Sequence, residues 1–596
     1  MSKGSSLKDN STNIDPSNDY SHEKKELSNS IQLIHSVDSG VVSTSKPPSL
    51  FKRIIDSFKR ADPESEDINI DVEAQEAKPN KQISGYQVAL IALAGGLGTG
   101  LLVGNGKALA LGGPIGLIVA YTFVGAMLFC TMLAAGELAV AYSNLAGGFN
   151  AYASRLVDPS LGFAIAWNYA INWFTVLPLE MVTASMTIKF WDDSVNSDVY
   201  VVIFLILVYS INLFGSKGYA RAEVVFNGAK VLMIVGFIIL SIVVVCGGVG
   251  TQGFIGGKYI LDPGPFANGF KGVCAVFVTS TFSLGGTEFM ALTAADQANP
   301  RKSIPKAVKV VFYRLVFVYL LSILMVGLLV PYNSTSLMSV NSQSNEAPIS
   351  PYVIAIENAG IKVIPHIINS VILLAILSVG NSALYSSSTT FFSLAQQGFA
   401  PQWFNYTDQK GRPIRAMGLS MLFGLFSFIA AYKDQQQVFT WLLSLSGLAT
   451  IFTWSSISLS HIRFRKALEA QNVNQNTLGF KAKGGIWISY FALFANLFVL
   501  IVHFWVSLIP FDNGGKPDAK NFFQNYLGFF TFLGLYIGHK LTISNGRVWF
   551  CIKSEEIDLN NGRKLFDADI LAQEAQEEET KWRTSSFWQK ALSVLY

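Results

Sequence analysis

Charge is scarce in this chain of 596 residues. Only 14% are Asp, Glu, Lys or Arg, against 51% hydrophobic, and the mean hydropathy is +0.38. Soluble domains usually carry about a quarter of their residues as charges, so composition excludes an ordinary soluble protein. The net charge of +4 is spread through loops and builds no basic face, which argues against nucleic acid as a partner. Cysteine is rare as well. Cys130, Cys246, Cys274 and Cys551 show no ligand spacing, and three of them lie in apolar stretches, against a disulfide framework or a metal site. The histidines (His22, His35, His366, His461, His503 and His539) form no pattern with Glu or Cys. With no nucleophile motif either, neither an enzyme nor a cofactor is expected.

What the chain has in quantity is long apolar runs, each able to supply the ~20 residues a spanning helix needs. They fall at 86–106, 114–142, 161–190, 199–214, 222–247, 270–295, 307–330, 364–395, 415–432, 438–461, 487–510 and 522–541, which predicts twelve transmembrane helices in a domain over 84–543. Residues 1–83 are rich in Ser, Asn, Asp, Glu and Lys and bury too little apolar surface to order, so a disordered tail is expected. Within it, Leu50 to Arg60 has the pattern of a basic amphipathic helix at a membrane surface. No apolar core follows a basic start, so no cleavable signal peptide is expected. Residues 544–596 read as a charged, soluble tail with an acidic run at Glu577–Glu579.

Lys and Arg set the orientation. Arg155, Lys217, Arg221, Arg301, Lys302, Lys306, Lys410, Arg412, Arg415, Arg463, Arg465, Lys466, Lys481 and Lys483 fall in alternate loops. Those loops and both tails are therefore predicted to be cytosolic. The sequon Asn333-Ser334-Thr335 falls in a loop predicted to be outside.

Two of the apolar runs are interrupted. The first contains Gly95-Gly-Leu-Gly-Thr-Gly100, and the sixth reads Phe282-Ser-Leu-Gly-Gly-Thr-Glu288. A glycine in a helix interior costs about 1 kcal/mol relative to alanine, and a carboxylate at mid-membrane costs about 2.5–3.5 kcal/mol. A helix broken at mid-membrane, with its free backbone groups turned onto a cavity, accounts for both features. The two breaks lie five helices apart, as expected when helices one to five and six to ten are inverted repeats. The pattern is that of a transporter's binding site.

Such a site suits a zwitterion. The N–H groups of Thr99 and Gly100, at the start of a half-helix, favour a carboxylate. Unwound carbonyls around Phe282, Ser283 and Gly285 suit an ammonium. Substrate contacts are thus expected at Gly98, Thr99, Gly100, Phe282, Ser283, Gly285 and Thr287, with Phe282 also placed to gate. Asn172, Thr175, Ser386, Ser387 and Thr453 are candidates for side-chain selectivity. Among acidic residues at membrane depth, Glu180, two residues after Pro178, is a candidate gate. Glu137 is expected to pair with a loop arginine. Glu288 either braces the unwound segment or carries a proton.

The motifs Gly95–Gly104, Gly136-Glu-Leu-Ala-Val140, Val176-Leu-Pro-Leu-Glu180, Phe282–Glu288, Ala298–Lys306, Leu377–Ala383 and His461–Lys466 occur in this order. Together they resemble the fungal amino acid permeases of the amino acid–polyamine–cation superfamily, the general, broad-range members most closely. The resemblance runs from about Ile83 to Asp569. It implies an all-α LeuT-like fold, with a core of two inverted five-helix repeats and two extra helices. It also implies proton-coupled import of amino acids across the plasma membrane, with the Gly96 carbonyl as a further ammonium acceptor. Lys230 resembles in position a fifth-helix lysine that takes the place of a metal ion in a bacterial relative, which makes it a proton-coupling candidate; Gly228 beside it is expected to admit a neighbouring helix. Lys8, Lys24 and Lys25 are implied acceptors for the ubiquitin machinery. The tail departs from many members, since Phe587-Trp588 is not followed by a cysteine. Two readings stay open beside amino acid import: a non-transporting amino acid sensor of the same fold, and a carrier of polyamines or other amines.

Overall fold

The computed structural model describes residues 57, 59–60, 96–143, 145, 148–192, 194–288, 291, 299–334, 337, 350–431, 435–511, 513–542, 551–564 and 566–584. The tail lysines Lys8, Lys24 and Lys25, most of the Leu50–Arg60 stretch, Gly95 and Phe587-Trp588 lie outside them. Contacts divide the chain into Met1–Lys59 and Arg60–Tyr596, and the second unit is the one described below.

It is helical throughout; among the described residues the only bridge of β type joins Arg60 to Asp408. The main helices are α1 (Gly100–Ala141), α2 (Phe149–Leu156), α3 (Pro159–Ile188), α4 (Ser197–Asn212), α5 (Gly215–Val245), α6 (Gly269–Leu284) and α7 (Pro300–Leu329). They continue with α8 (Ile364–Gln396), α9 (Ile414–Ile429), α10 (Gln435–Ala470), α11 (Ile486–Leu508), α12 (Ala519–Thr542) and α13 (Ala568–Thr584). Among the described residues, six helices are long and apolar enough to cross a membrane: α1, α5, α7, α8, α10 and α11. Their lipid-side faces are apolar and exposed, as at Val225, Leu232 and Ile239 of α5 and Phe494 and Ile501 of α11. The protein is a multi-pass membrane protein.

Two expected spans merge in α1, which turns at Gly113 (φ 75°) before Pro114. A Cβ on Gly113 would lie 2.7 Å from the Ala267 nitrogen and 2.8 Å from the Pro265 oxygen, so both the backbone angle and the space demand glycine there. α10 runs on to Ala470, past its expected end at 461, which makes Arg465 a helical rather than a loop residue. Gly228 does not admit a neighbour: a Cβ there would meet nothing within 4 Å.

α3 is the central strut. It packs against α8, α10 and α12 and is buried along nearly its whole length, which lets it carry Asn168, Asn172, Glu180 and Thr183 away from lipid. α1 packs against α6 and α11, and α5 lies along α8.

The C-terminal residues are seated against the helix ends. Ile557 and Leu559 are buried, Ile552 N–H donates to the Val157 carbonyl at 2.8 Å, and Lys564 N–H donates to the Ala141 carbonyl at 2.8 Å. Gln471, just past the end of α10, donates to the Ile557 carbonyl at 2.8 Å, and Arg301 of α7 pairs with Glu574 of α13. Composition does not report such pairing, which fastens this charged segment to the helix ends.

Candidate functional site

The interrupted segments face each other. α6 ends at Leu284, and the chain then passes through Gly285 (ψ 162°) and Gly286 (φ 79°), a left-handed position that favours glycine. Opposite it, Gly98 accepts the first helical bond of α1 from Leu102 N–H at 3.0 Å. Thr99 and Gly100 precede that bond, in the first turn, where N–H groups have no intrahelical acceptor. Residues Gly100–Gly104 are wound as a π-helix, a form that collects at functional sites.

Glycine is what lets these segments approach. A Cβ on Gly96 would lie 2.9 Å from the Gly285 oxygen, one on Gly98 2.4 Å from a Val379 methyl, and one on Gly100 2.6 Å from Ser283 Cα.

Between them lies a cavity. Gly96, Gly98, Thr99 and Gly100 line it on one side and Phe282, Gly285 and Gly286 on the other; α3 adds Asn172, Trp173, Val176 and Glu180. Tyr219 of α5, Val379, Ser382 and Ser386 of α8, and Ser446 and Thr450 of α10 complete the wall. A few polar groups set among apolar ones, with main-chain donors at a helix start, suit a small zwitterion.

Not every expected residue lines this cavity. The Ser283 hydroxyl donates to the Thr279 carbonyl and accepts from Tyr121 (2.7 Å each), and its carbonyl accepts from the Tyr319 hydroxyl at 2.7 Å. The Gly96 carbonyl also accepts from Tyr319, at 3.2 Å. Thr287 donates to the Leu284 carbonyl at 2.6 Å and accepts from Arg314. Ser283 and Thr287 thus shape the break from behind. Of the selectivity candidates, Asn172 and Ser386 reach the cavity. Thr175 donates to Ile171, Ser387 to Leu384 and Ser420, and Thr453 to Ala449.

The carboxylates divide by position. Glu180, fully buried, accepts from the Thr99 hydroxyl, which ties α3 to the start of α1; its Oε1 has no hydrogen-bond partner. Glu288 accepts from Trp454 Nε1 (3.1 Å) and Gly286 N–H (3.2 Å), so it braces the turn after α6. Glu137 lies away from the cavity, 2.6 Å from Arg465 Nη2 and 2.7 Å from the Ala482 N–H, with His461 Nε2 at 3.4 Å.

Lys230 is fully buried and donates to the Ser378 hydroxyl at 2.8 Å; that hydroxyl donates to Glu223 at 2.8 Å, and Asn381 Nδ2 adds a bond to Glu223 at 2.9 Å. Sequence reasoning singled out Lys230 and passed over Glu223 and Arg314, although both are charges in apolar runs and carried the signal used for Glu288. Arg314 and Tyr319 belong to a second π-helical stretch, Arg314–Leu320, inside α7. Tyr219, Ser382, Ser446 and Thr450 gave no such signal, because a hydroxyl on a helix reads the same whether it faces a cavity or its own backbone.

Comparison with known proteins agrees with this architecture. The amino acid permease family profile matches residues 87–552. The general amino acid permease AGP1 of Saccharomyces cerevisiae is 46% identical over 583 residues, covering 91% of each chain. The high-affinity glutamine permease of the same yeast is 47% identical over 525 residues, covering 87% of this chain and 79% of its own. The general amino-acid permease GAP1, also from Saccharomyces cerevisiae, is 46% identical over 545 residues and covers 89% of each. These relatives are named as permeases, which are transporters and not enzymes. A profile that spans most of the chain, and relatives this similar over nearly all of it, show that the chain belongs to the amino acid permease family.

Proposed function

We propose that this permease imports L-amino acids across the plasma membrane by proton symport, alternating access between its two sides through a LeuT-like core of inverted repeats. The observation that carries the reading is the cavity formed where two glycine-broken segments meet, lined by main chain from both. The first turn at Thr99 and Gly100 takes the substrate carboxylate, and the carbonyl edge of the break after α6 takes the ammonium. Phe282 closes over the ligand, and Glu180, held by Thr99, gates the path beneath it. Lys230 carries the coupling charge, with the Ser378 hydroxyl linking it to Glu223. Glu288 holds the break in shape. The cytosolic tails expose Lys8, Lys24 and Lys25 to the ubiquitin machinery.

Purified protein in liposomes tests the reading. A labelled neutral amino acid should accumulate against its gradient when the outside is made acid, and stop when a protonophore is added. Saturable binding without any uptake would overturn import and identify a sensor. Accumulation indifferent to the proton gradient would overturn the symport.

A further inference from the structure

A second cavity opens beside the first, on the side of the α4–α5 and α8–α9 connections. Ser216, Tyr385, Ser388, Thr389, Thr407 and Arg412 are among its lining residues. Hydroxyls and the Arg412 guanidinium are set into its wall among apolar groups such as Phe392, Pro413 and Met417. The connections around it carry Lys217, Arg221, Lys410, Arg412 and Arg415, the residues that mark a cytosolic face.

One pair of stacked rings links the walls of the two cavities. Tyr219 lines the central cavity, Tyr385 lines the second, and the rings stack with centroids 4.3 Å apart and planes 11° from parallel. Each phenol has a hydroxyl partner at the edge of its own cavity: Tyr219 with Ser382 at 3.1 Å, and Tyr385 with Ser216 at 3.2 Å. Tyr219 comes from α5 and Tyr385 from α8, so a small shift of one helix along the other parts the rings without unfolding either.

We infer that the second cavity is the cytosolic vestibule through which the substrate leaves, and that the Tyr219–Tyr385 stack is the door between it and the central cavity. The inference rests on the transport reading above. A zwitterion leaving the glycine-lined site needs a path that keeps it solvated, and hydroxyls supply one. The guanidinium of Arg412 stands at the far side, held by Asp408 and the Leu213 carbonyl, where a departing carboxylate would meet it.

The test uses the full chain with Cys130, Cys246, Cys274 and Cys551 replaced by serine and Thr389→Cys added. The small substitution lets the protein fold before anything is blocked. Inside-out vesicles are treated with a bulky, membrane-impermeant methanethiosulfonate. Labelling should cut amino acid exchange by about tenfold or more while equilibrium binding of labelled substrate stays unchanged, the signature of a blocked step after binding. A reducing agent should restore exchange. Failure to label from this face, labelling without loss of exchange, or joint loss of binding and exchange would each overturn the vestibule. In parallel, Tyr385→Ala should speed downhill efflux several-fold while Tyr385→Phe, which keeps the stack, leaves it near wild type; equal rates in the two would overturn the door. Uptake by the untreated protein stands as the separate check on transport itself: if that is absent, the transport reading falls, and if it is present, only the vestibule is on trial.

Discussion

Gly100 and Ser283 meet main chain to main chain: a methyl group on Gly100 would stand 2.6 Å from Ser283 Cα and 2.9 Å from the Phe282 ring. The glycine therefore sets the distance between the two broken segments as well as leaving its N–H open to a ligand. Gly100→Val should abolish uptake, because overpacking of about 1–3 kcal/mol has to be relieved by moving α6. Surface biotinylation should find the variant in normal amount. Gly228→Ala, with nothing within 4 Å of the new methyl, should transport as the parent does. Normal uptake by Gly100→Val would remove this contact from the site.

Thr99 holds Glu180 by its hydroxyl. Thr99→Val keeps the shape and removes the donor, leaving a buried carboxyl without that partner at a cost of about 1–3 kcal/mol. Uptake kcat/KM should fall roughly tenfold or more. Thr99→Ser, which keeps the hydroxyl, should recover most of it. If valine and serine behave alike in a labelled-uptake series, the hydroxyl is not what positions Glu180.

Lys230→Arg retains a cation where Ser378 and Glu223 expect one, but arginine does not release its proton. Substrate binding should persist, while uptake no longer responds to an imposed proton gradient. Glu223→Gln should also weaken that response, since it removes the charge that balances the lysine. Proton-driven accumulation in Lys230→Arg at the parental rate would move the coupling role to Glu288.

Glu137 is fully buried against Arg465 and His461. Replacing it with alanine strands the arginine, and breaking a buried pair by removing one partner typically costs about 3–5 kcal/mol. Thermal unfolding in detergent should begin at a clearly lower temperature, whereas the affinity of the remaining folded protein for substrate should not change. A loss of affinity at full stability would place Glu137 in the site after all.

Much of this geometry was legible in the sequence because glycine and charge are conspicuous against an apolar background. The end of α6 at Gly285–Gly286 and the start of α1 at Gly98–Gly100 fall on glycine runs of that kind, and the glycine turn at Gly113 falls between two expected spans. What stayed hidden has a physical reason in each case. Tyr219 and Ser446 face the cavity, but period and composition do not say which way a lone polar group on a buried helix points. The packing of α5 against α8, which sets Lys230 beside Ser378 and Tyr219 on Tyr385, depends on residues about 150 positions apart. The seating of the C-terminal residues joins main-chain bonds at Ile552 and Lys564, which any sequence can make, to side-chain partners that lie far away along the chain, such as Arg301 for Glu574.

That seating has a consequence for how the protein is made. Residues 551–584 leave the ribosome after every helix of the bundle, yet their partners at Ala141, Val157 and Arg301 come from much earlier stretches. The final segment can engage only when those earlier parts have been inserted and brought side by side. It acts as a closing seam, and its engagement is a local record that the helix ends it joins have been brought together. A chain shortened before Ile552 leaves the Ala141 and Val157 carbonyls without these partners on an otherwise inserted protein.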